Sequence, residues 1–290
     1  SYYAAPNRPI GAVISYYFSD TLKTTKEKRQ DQEKKSKDDY YPSLEQIRKE
    51  AVEEAANFIF VIKDAQGNEV QKINAVAKSG INQVVWNGRY TTTSPIKLKE
   101  IKPGRYGSYD VGQLALPGTY SVTMYLEDNG VITQLAEPNS FEVVLLNYKT
   151  LAAADKKALL DFQKEVAEIR RSVDGTNKLM SELKDRVKYI KKAIQSYPQI
   201  DLSLLKDVKS IEDEFYKVNI MLNGDNDIAK YELETYPSIS ERIGIVVYGL
   251  WNSTSAPTKT AIENIKIAKD EYEPVLTIIQ ESVRKVEALE

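Results

Sequence analysis

The chain contains no histidine and no cysteine in 290 residues. Without imidazole there is no Ser-His-Asp or Cys-His machinery, no histidine general base and no histidine-ligated metal. Without thiols there are no disulfides, iron–sulfur ligands or redox cysteines. An excess of one charge sign is also missing, since 40 Lys and Arg face 42 Asp and Glu for a net charge of −2. Binding a polyanion needs clustered positive charge, so nucleic acid is not an expected partner. No apolar run approaches the roughly 18–20 residues that cross a bilayer. The chain is therefore not read as membrane-spanning, and its start has no signal-peptide pattern. The lack of cysteine fits a cytosolic protein and also a thiol-avoiding envelope protein, and leaves the compartment open. The first residue is Ser rather than Met, which reads as a processed chain or a piece of a longer one. What remains is a globular composition, 42% hydrophobic and 28% charged, long enough for two domains.

Residues 10–18, Ile-Gly-Ala-Val-Ile-Ser-Tyr-Tyr-Phe, are β-branched and aromatic and predict a strand. From Lys23 to Asp39 the chain carries seven Lys or Arg and five Asp or Glu with no apolar residue. Such a stretch has nothing to bury, and predicts either a mobile loop or an exposed helical arm. Pro42-Ser43 then offers a helix start, with Leu44, Ile47, Ala51, Val52 and Ala55 at helical spacing up to Asn57.

From Phe58 to Leu146 short apolar runs alternate with turn chemistry. Phe58 to Ile62 reads as a buried strand, reversed by Asp64-Ala65-Gln66-Gly67-Asn68 into Glu69 to Ile73. Gly80 leads into Ile81 to Trp86, and Pro117-Gly118 suits a type II turn before the strand at Ser121 to Glu127. Asn129-Gly130 is a two-residue hairpin turn into Val131 to Leu135, and Ser140 to Leu146 closes the series. About seven strands without intervening helices predict an antiparallel Ig/fibronectin-like β-sandwich over 1–148, with an insertion at about 20–57.

Beyond Tyr148 the period changes. Leu159, Phe162, Val166, Ile169, Val173, Met180, Leu183, Val187, Ile190 and Ile194 keep alternating three-and-four spacing, and Thr176 fills the remaining slot. The register passes unbroken through Gly175, predicting one helix from about Ala153 to Gln195, even though glycine costs ~1 kcal/mol there relative to alanine. Pro198 ends it. Apolar stripes at Leu205–Leu222, Ile239–Leu250 and Ile262–Val286 mark three more helices, with a kink expected at Pro274. One-sided stripes pack on one another, so 149–290 is expected to form an antiparallel three- to four-helix bundle. The fold class is thus α+β and multidomain.

The candidate binding residues are Trp86, Arg89, Tyr90, Tyr106 and Tyr109, in or beside the irregular stretch Asn87–Ala115. Aromatic rings with Arg on loops stack on sugars or anchor protein partners. Against this, Trp86 also suits the core tryptophan of a sandwich, and strands favour aromatics for packing. Glu212-Asp213-Glu214 is the densest carboxylate group, but it lies on a helix beside Ile211 and Phe215 and reads as a solvated face. Asp225-Asn226-Asp227 opens like a calcium loop, but the glycine and glutamate needed at later offsets are missing. No Walker loop, Gly-x-Gly-x-x-Gly or Gly-x-Ser-x-Gly occurs. No catalytic residue, metal or cofactor is therefore assigned.

Four segments taken in order form a family pattern: Arg8 to Tyr17, Val61 to Asn68, Gly80 to Trp86, and Leu116-Pro117-Gly118-Thr119-Tyr120. They resemble the C-terminal region of secreted bacterial proteins with BNR/Asp-box or sortilin-type β-propellers, often labelled glycosyl hydrolases. The resemblance covers most of the chain and implies an Ig-like sandwich followed by a helical segment. It also implies an extracellular, periplasmic or cell-surface location. The insertion departs from the pattern, and no Ser-x-Asp-x-Gly-x-x-Trp box is present. A hydrolase site in such proteins is expected in the propeller, so the enzyme label does not transfer to these residues. The resemblance implies an accessory or scaffold region that packs on a propeller or docks a protein partner, with a carbohydrate-binding module as the alternative.

Overall fold

The computed structural model describes residues 10–35, 41–98, 111–144 and 153–290. The chain is α+β, with antiparallel sheets in the N-terminal part and long helices in the C-terminal part. It divides into two compact units, one of 1–91 and 115–148 and one of 92–114 and 149–290. The described residues 92–98 and 111–114 fall in the unit that holds the helices.

In the first unit β1 (Ala12–Phe18) pairs antiparallel with β4 (Gly80–Trp86). A second antiparallel sheet runs in the order β3 (Glu69–Val76), β2 (Asn57–Asp64), β5 (Gly118–Asp128), β6 (Val131–Gln134), with β7 (Asn139–Val143) also paired to β5. The β2–β3 reversal is held by the Asp64 carboxylate, which accepts from the amides of Gln66 and Asn68, while Gly67 takes the left-handed φ of 83°. Asn129 and Gly130, at φ 50° and 78°, make the β5–β6 turn, as a two-residue hairpin requires. Phe58, Phe60 and Ile62 of β2, Val84 and Trp86 of β4, and Tyr120 and Val122 of β5 share one buried core with Val70. Tyr16 and Phe18 of β1 pack their rings on Phe58, at centroid distances of 5.6 and 4.9 Å.

Between β1 and β2 the chain forms two helices, α1 (Thr25–Glu33) and α2 (Leu44–Val52). The charged stretch is thus helical over Thr25–Glu33. Its start is fixed by a capping box, in which Thr24 accepts from the Glu27 amide and Glu27 accepts from the Thr24 amide.

The second unit contains α3 (Lys156–Ser196), α4 (Leu205–Asn223), the single turn α5 (Asn226–Ala229), α6 (Ile239–Leu250) and α7 (Lys259–Leu289). The 41 residues of α3 run through Gly175 as one helix, about 60 Å long at 1.5 Å per residue. Leu159, Val166, Ile169, Val173, Met180, Leu183, Val187 and Ile194 are buried on it, with Phe162 and Ile190 partly buried, so the stripe read from spacing is the stripe that packs. They meet Val208, Ile211, Phe215, Val218 and Leu222 of α4, Ile243 and Val246 of α6, and Ile265, Val275 and Ile279 of α7 in one core. Helix α7 continues through Pro274, although proline supplies no amide to the carbonyl four residues before it.

Three buried polar pins fix how these helices meet. Gln163, 2% exposed, donates its amide to the Leu250 carbonyl at 2.9 Å. The Tyr272 hydroxyl donates to the Ser172 carbonyl at 3.0 Å, so at the 2.6 Å contact Thr176 is the donor and Tyr272 the acceptor. Trp251 donates its indole N–H to the Val111 carbonyl at 2.8 Å, tying Val111 to the end of α6. Each pin satisfies a group whose burial without a partner costs about 1–3 kcal/mol.

Candidate functional site

Trp86 is fully buried in the sheet core. Its indole N–H donates to the Arg89 carbonyl at 2.9 Å, and its ring lies 5.1 Å from Tyr120 and 5.8 Å from Phe141. Neither face is open to a ligand. Arg89 and Tyr90 are half-buried at the end of β4, and Tyr90 packs against the same core. Burial raises the Tyr90 phenol above its ordinary 10.0, with the Asp64 charge adding to the effect, and burial lowers the Arg89 guanidinium. Tyr120 is pushed up to about 12, first by burial and then by Tyr90 and Asp64. The structure thus gathers Trp86, Arg89 and Tyr90 at one end of the sheet as packing. Tyr106 and Tyr109 lie outside the described residues.

The carboxylate groups are engaged as ion pairs and caps. Glu212 meets Lys191 at 2.8 Å, Asp213 meets Lys209, and Glu214 accepts from Ser282 at 3.0 Å and pairs with Lys285. Asp225 caps α5 by accepting from the amides of Asp227 and Ile228. Among the described residues no group of three or more carboxylates is placed to hold a metal ion. An open groove of about 370 Å³ runs between α3 and the start of α7, lined by Phe162, Ile262 and the Glu165–Lys269 ion pair at 2.6 Å. No described helix is long and apolar enough to cross a membrane.

The surface that departs from ordinary packing is the α1–α2 insertion. Arg29 on α1 donates from Nε and Nη2 to the two oxygens of Glu50 on α2, at 2.8 and 2.7 Å, and from Nη1 to Glu33 at 2.5 Å. The Glu53 carboxylate accepts from the Thr25 amide and hydroxyl. At the far end, the Glu54 amide donates to the Asn129 side chain in the β5–β6 turn at 3.0 Å. The one buried residue of α2 is Glu50. Its apolar stripe faces the other way: Leu44 is 74% and Val52 79% exposed, and Ile47, Ala51 and the preceding Tyr41 are exposed as well. The expected short helix forms, with Glu50 turned inward to Arg29 and its apolar side chains left exposed. A bidentate Arg–carboxylate pair is directional and holds the two helices in register.

Arg29 holds the Glu50 carboxyl below its ordinary value of 4.5, chiefly by hydrogen bonding. In acid the unfolded insertion therefore binds more protons than the folded one. The contribution of the pair is present above about pH 4.5 and is lost as pH falls through the lower folded value. Stepwise acidification from pH 7 is expected to melt α1 before α3, read by 13Cα chemical shifts of Thr25–Glu33 and Lys156–Ser196. Loss of the helical shifts of both helices at one and the same pH would show that the pair does not hold α1.

No protein-family model, curated protein or solved structure matches the chain.

Proposed function

We propose that the chain is a non-catalytic accessory region of a secreted or cell-envelope propeller protein, and that it docks on the propeller through the α1–α2 insertion. The observation that carries this reading is the inverted helix α2, with Glu50 buried and Leu44, Ile47 and Val52 left to solvent. Apolar area of this kind, rimmed by charge, marks protein contact more often than accident. The parentage rests on the resemblance of the strand and turn motifs to propeller-associated C-terminal regions. Support for an Ig-like sandwich comes from the buried Trp86 and from the Tyr120 hydroxyl, which donates to the Leu116 carbonyl four residues upstream at 2.8 Å. Such sandwiches use both devices. The helical unit is read as an accompanying antiparallel bundle.

A carbohydrate-binding module is the second reading, and the burial of Trp86 removes the ring on which stacking most depended.

The test begins upstream of Ser1. The reading frame there is expected to encode a β-propeller with Ser-x-Asp-x-Gly-x-x-Trp boxes, and that segment, produced separately, is expected to bind this chain. The Leu44→Asp, Ile47→Asp pair should weaken binding by about tenfold or more, the size of losing one well-buried anchor. A frame without a propeller overturns the parentage. A propeller that binds both forms equally overturns the role of α2.

A further inference from the structure

A second exposed surface lies on the helical unit, independent of the insertion. Helix α4 ends at Asn223, and Gly224 turns the chain with φ 87° while its amide donates to the Ile220 carbonyl. A Cβ on Gly224 would sit 3.8 Å from Cβ of Ser238, the residue that caps α6. The intervening loop therefore leaves and returns at one place, as an Ω-loop does. Its base is built. Asn223 donates to Asn177 of α3 at 2.9 Å and accepts from Ser240 of α6 at 3.2 Å. The Tyr216 hydroxyl donates to Asp227 at 3.1 Å, and Lys230 pairs with the other Asp227 oxygen at 2.8 Å. Ser238 and Glu241 close the far side with a capping box.

The tip of this pinned loop is apolar and acidic. Asn226 through Pro237 are exposed without interruption, and Ile228, Tyr231, Leu233 and Tyr236 are among them. Tyr236 is 93% exposed. Interleaved with them are Glu232, held in the left-handed region at φ 56°, and Glu234. Lys230, the one cation of the loop, is committed to Asp227, so the tip carries negative charge beside aromatic faces. Tyrosine faces attract cations, and two carboxylates next to them strengthen that preference. Leu233 and Ile228 add a demand that a sugar or a simple cation does not meet, which is apolar contact. Aromatic anchors on a loop whose base is pinned are what protein recognition uses, because a closed base leaves less conformational freedom to be lost on binding.

The geometry points to this loop as a docking site for a protein segment in which Lys or Arg alternate with apolar side chains. The probe is a fluorescent ten-residue peptide of alternating Arg and Leu, titrated into the full chain and followed by anisotropy, with the Glu–Leu peptide as the control. The Arg–Leu peptide is expected to bind and the control not to. Tyr231→Ser with Tyr236→Ser, and separately Glu232→Lys with Glu234→Lys, should each weaken binding by about tenfold or more. Both variants are expected to keep the helical circular dichroism and the unfolding midpoint, since none of the four side chains is buried. Binding that is equal in wild type and both variants places the basic-peptide site elsewhere and overturns the proposal. Absence of peptide binding overturns it too. A chain dimer that dissociates in the tyrosine variant, without peptide binding, assigns the loop to a second copy instead.

Discussion

Trp86→Ala is expected to cost the sheet unit about 3–5 kcal/mol, the range for removing a large buried aromatic. The side chain is fully buried between Tyr120 and Phe141, so truncation leaves a cavity that these rings cannot fill without breaking β4–β1 and β5–β7 pairing. It also leaves the Arg89 carbonyl without its indole donor, a further cost of about 1 kcal/mol or more. Against a total stability of about 5–15 kcal/mol for an ordinary domain, this brings the unit close to unfolding. Trp86→Phe keeps most of the buried area and is expected to cost less than half as much. The chain has two tryptophans, Trp86 in the sheet unit and Trp251 in the helical unit. Each unit can therefore be followed by its own fluorescence in urea, with Trp251→Phe isolating the sheet signal of the parent and circular dichroism following the alanine variant. If Trp86→Ala stays within about 1 kcal/mol of its parent and abolishes binding to a glycan array, Trp86 is a ligand platform and its placement in the core is wrong.

Gly11→Ala is expected to be nearly as damaging, for a steric reason. Gly11 has φ 129°, a conformation that side chains of L-residues rarely adopt, and a Cβ there would lie 1.9 Å from the Trp86 carbonyl oxygen. The clash is with backbone, and that backbone is fixed because Ala12 pairs with Trp86 at the first position of the β1–β4 ladder. Conformational strain and overpacking each cost about 1–3 kcal/mol, so a loss on the order of 3 kcal/mol is expected. β1 should loosen from β4 first, freeing Tyr16 and Phe18 from Phe58. Amide exchange of Ala12–Phe18 reads this directly. Gly88→Ala is the control: Gly88 has φ 70°, but an added Cβ meets nothing within 4 Å. Its cost is the conformational one alone, roughly 1 kcal/mol. Equal losses in the two variants would remove the clash from the account.

The helical unit was the most legible part of the chain. Ten apolar positions in one alternating register over some 35 residues outweigh the local penalty of Gly175, where an added Cβ would meet nothing within 4 Å. Helix α4 ends at Gly224 and α6 starts at the Ser238–Glu241 capping box, because those signals act within one turn. The pins were not legible. Gln163 sits one residue from Phe162 in the stripe, and its role rests on the Leu250 carbonyl, 87 residues away, which accepts a hydrogen bond from its side-chain amide. The Ω-loop escaped notice for a related reason. Tyr231, Leu233 and Tyr236 lie in a stretch with no period, and their one signal is the alternation of aromatic or aliphatic residues with glutamate between two capped helices.

The insertion marks the dividing line. Sequence alone determined that residues 23–39 could bury nothing and that Ser43 could start an amphipathic helix, because charge density and apolar spacing are local quantities. It likewise determined the strand grammar, the unbroken α3 and the absence of histidine and cysteine chemistry. Which way α2 faces was decided by tertiary structure, through Arg29 reaching Glu50 from a different helix and Glu53 receiving Thr25. Whether Trp86 would be a platform or a core residue was decided there as well, by Tyr120 and Phe141 from strands distant in sequence. Periodicity reports that a face is apolar, whereas the partner that covers it, or fails to, is a non-local contact and carries no local signature.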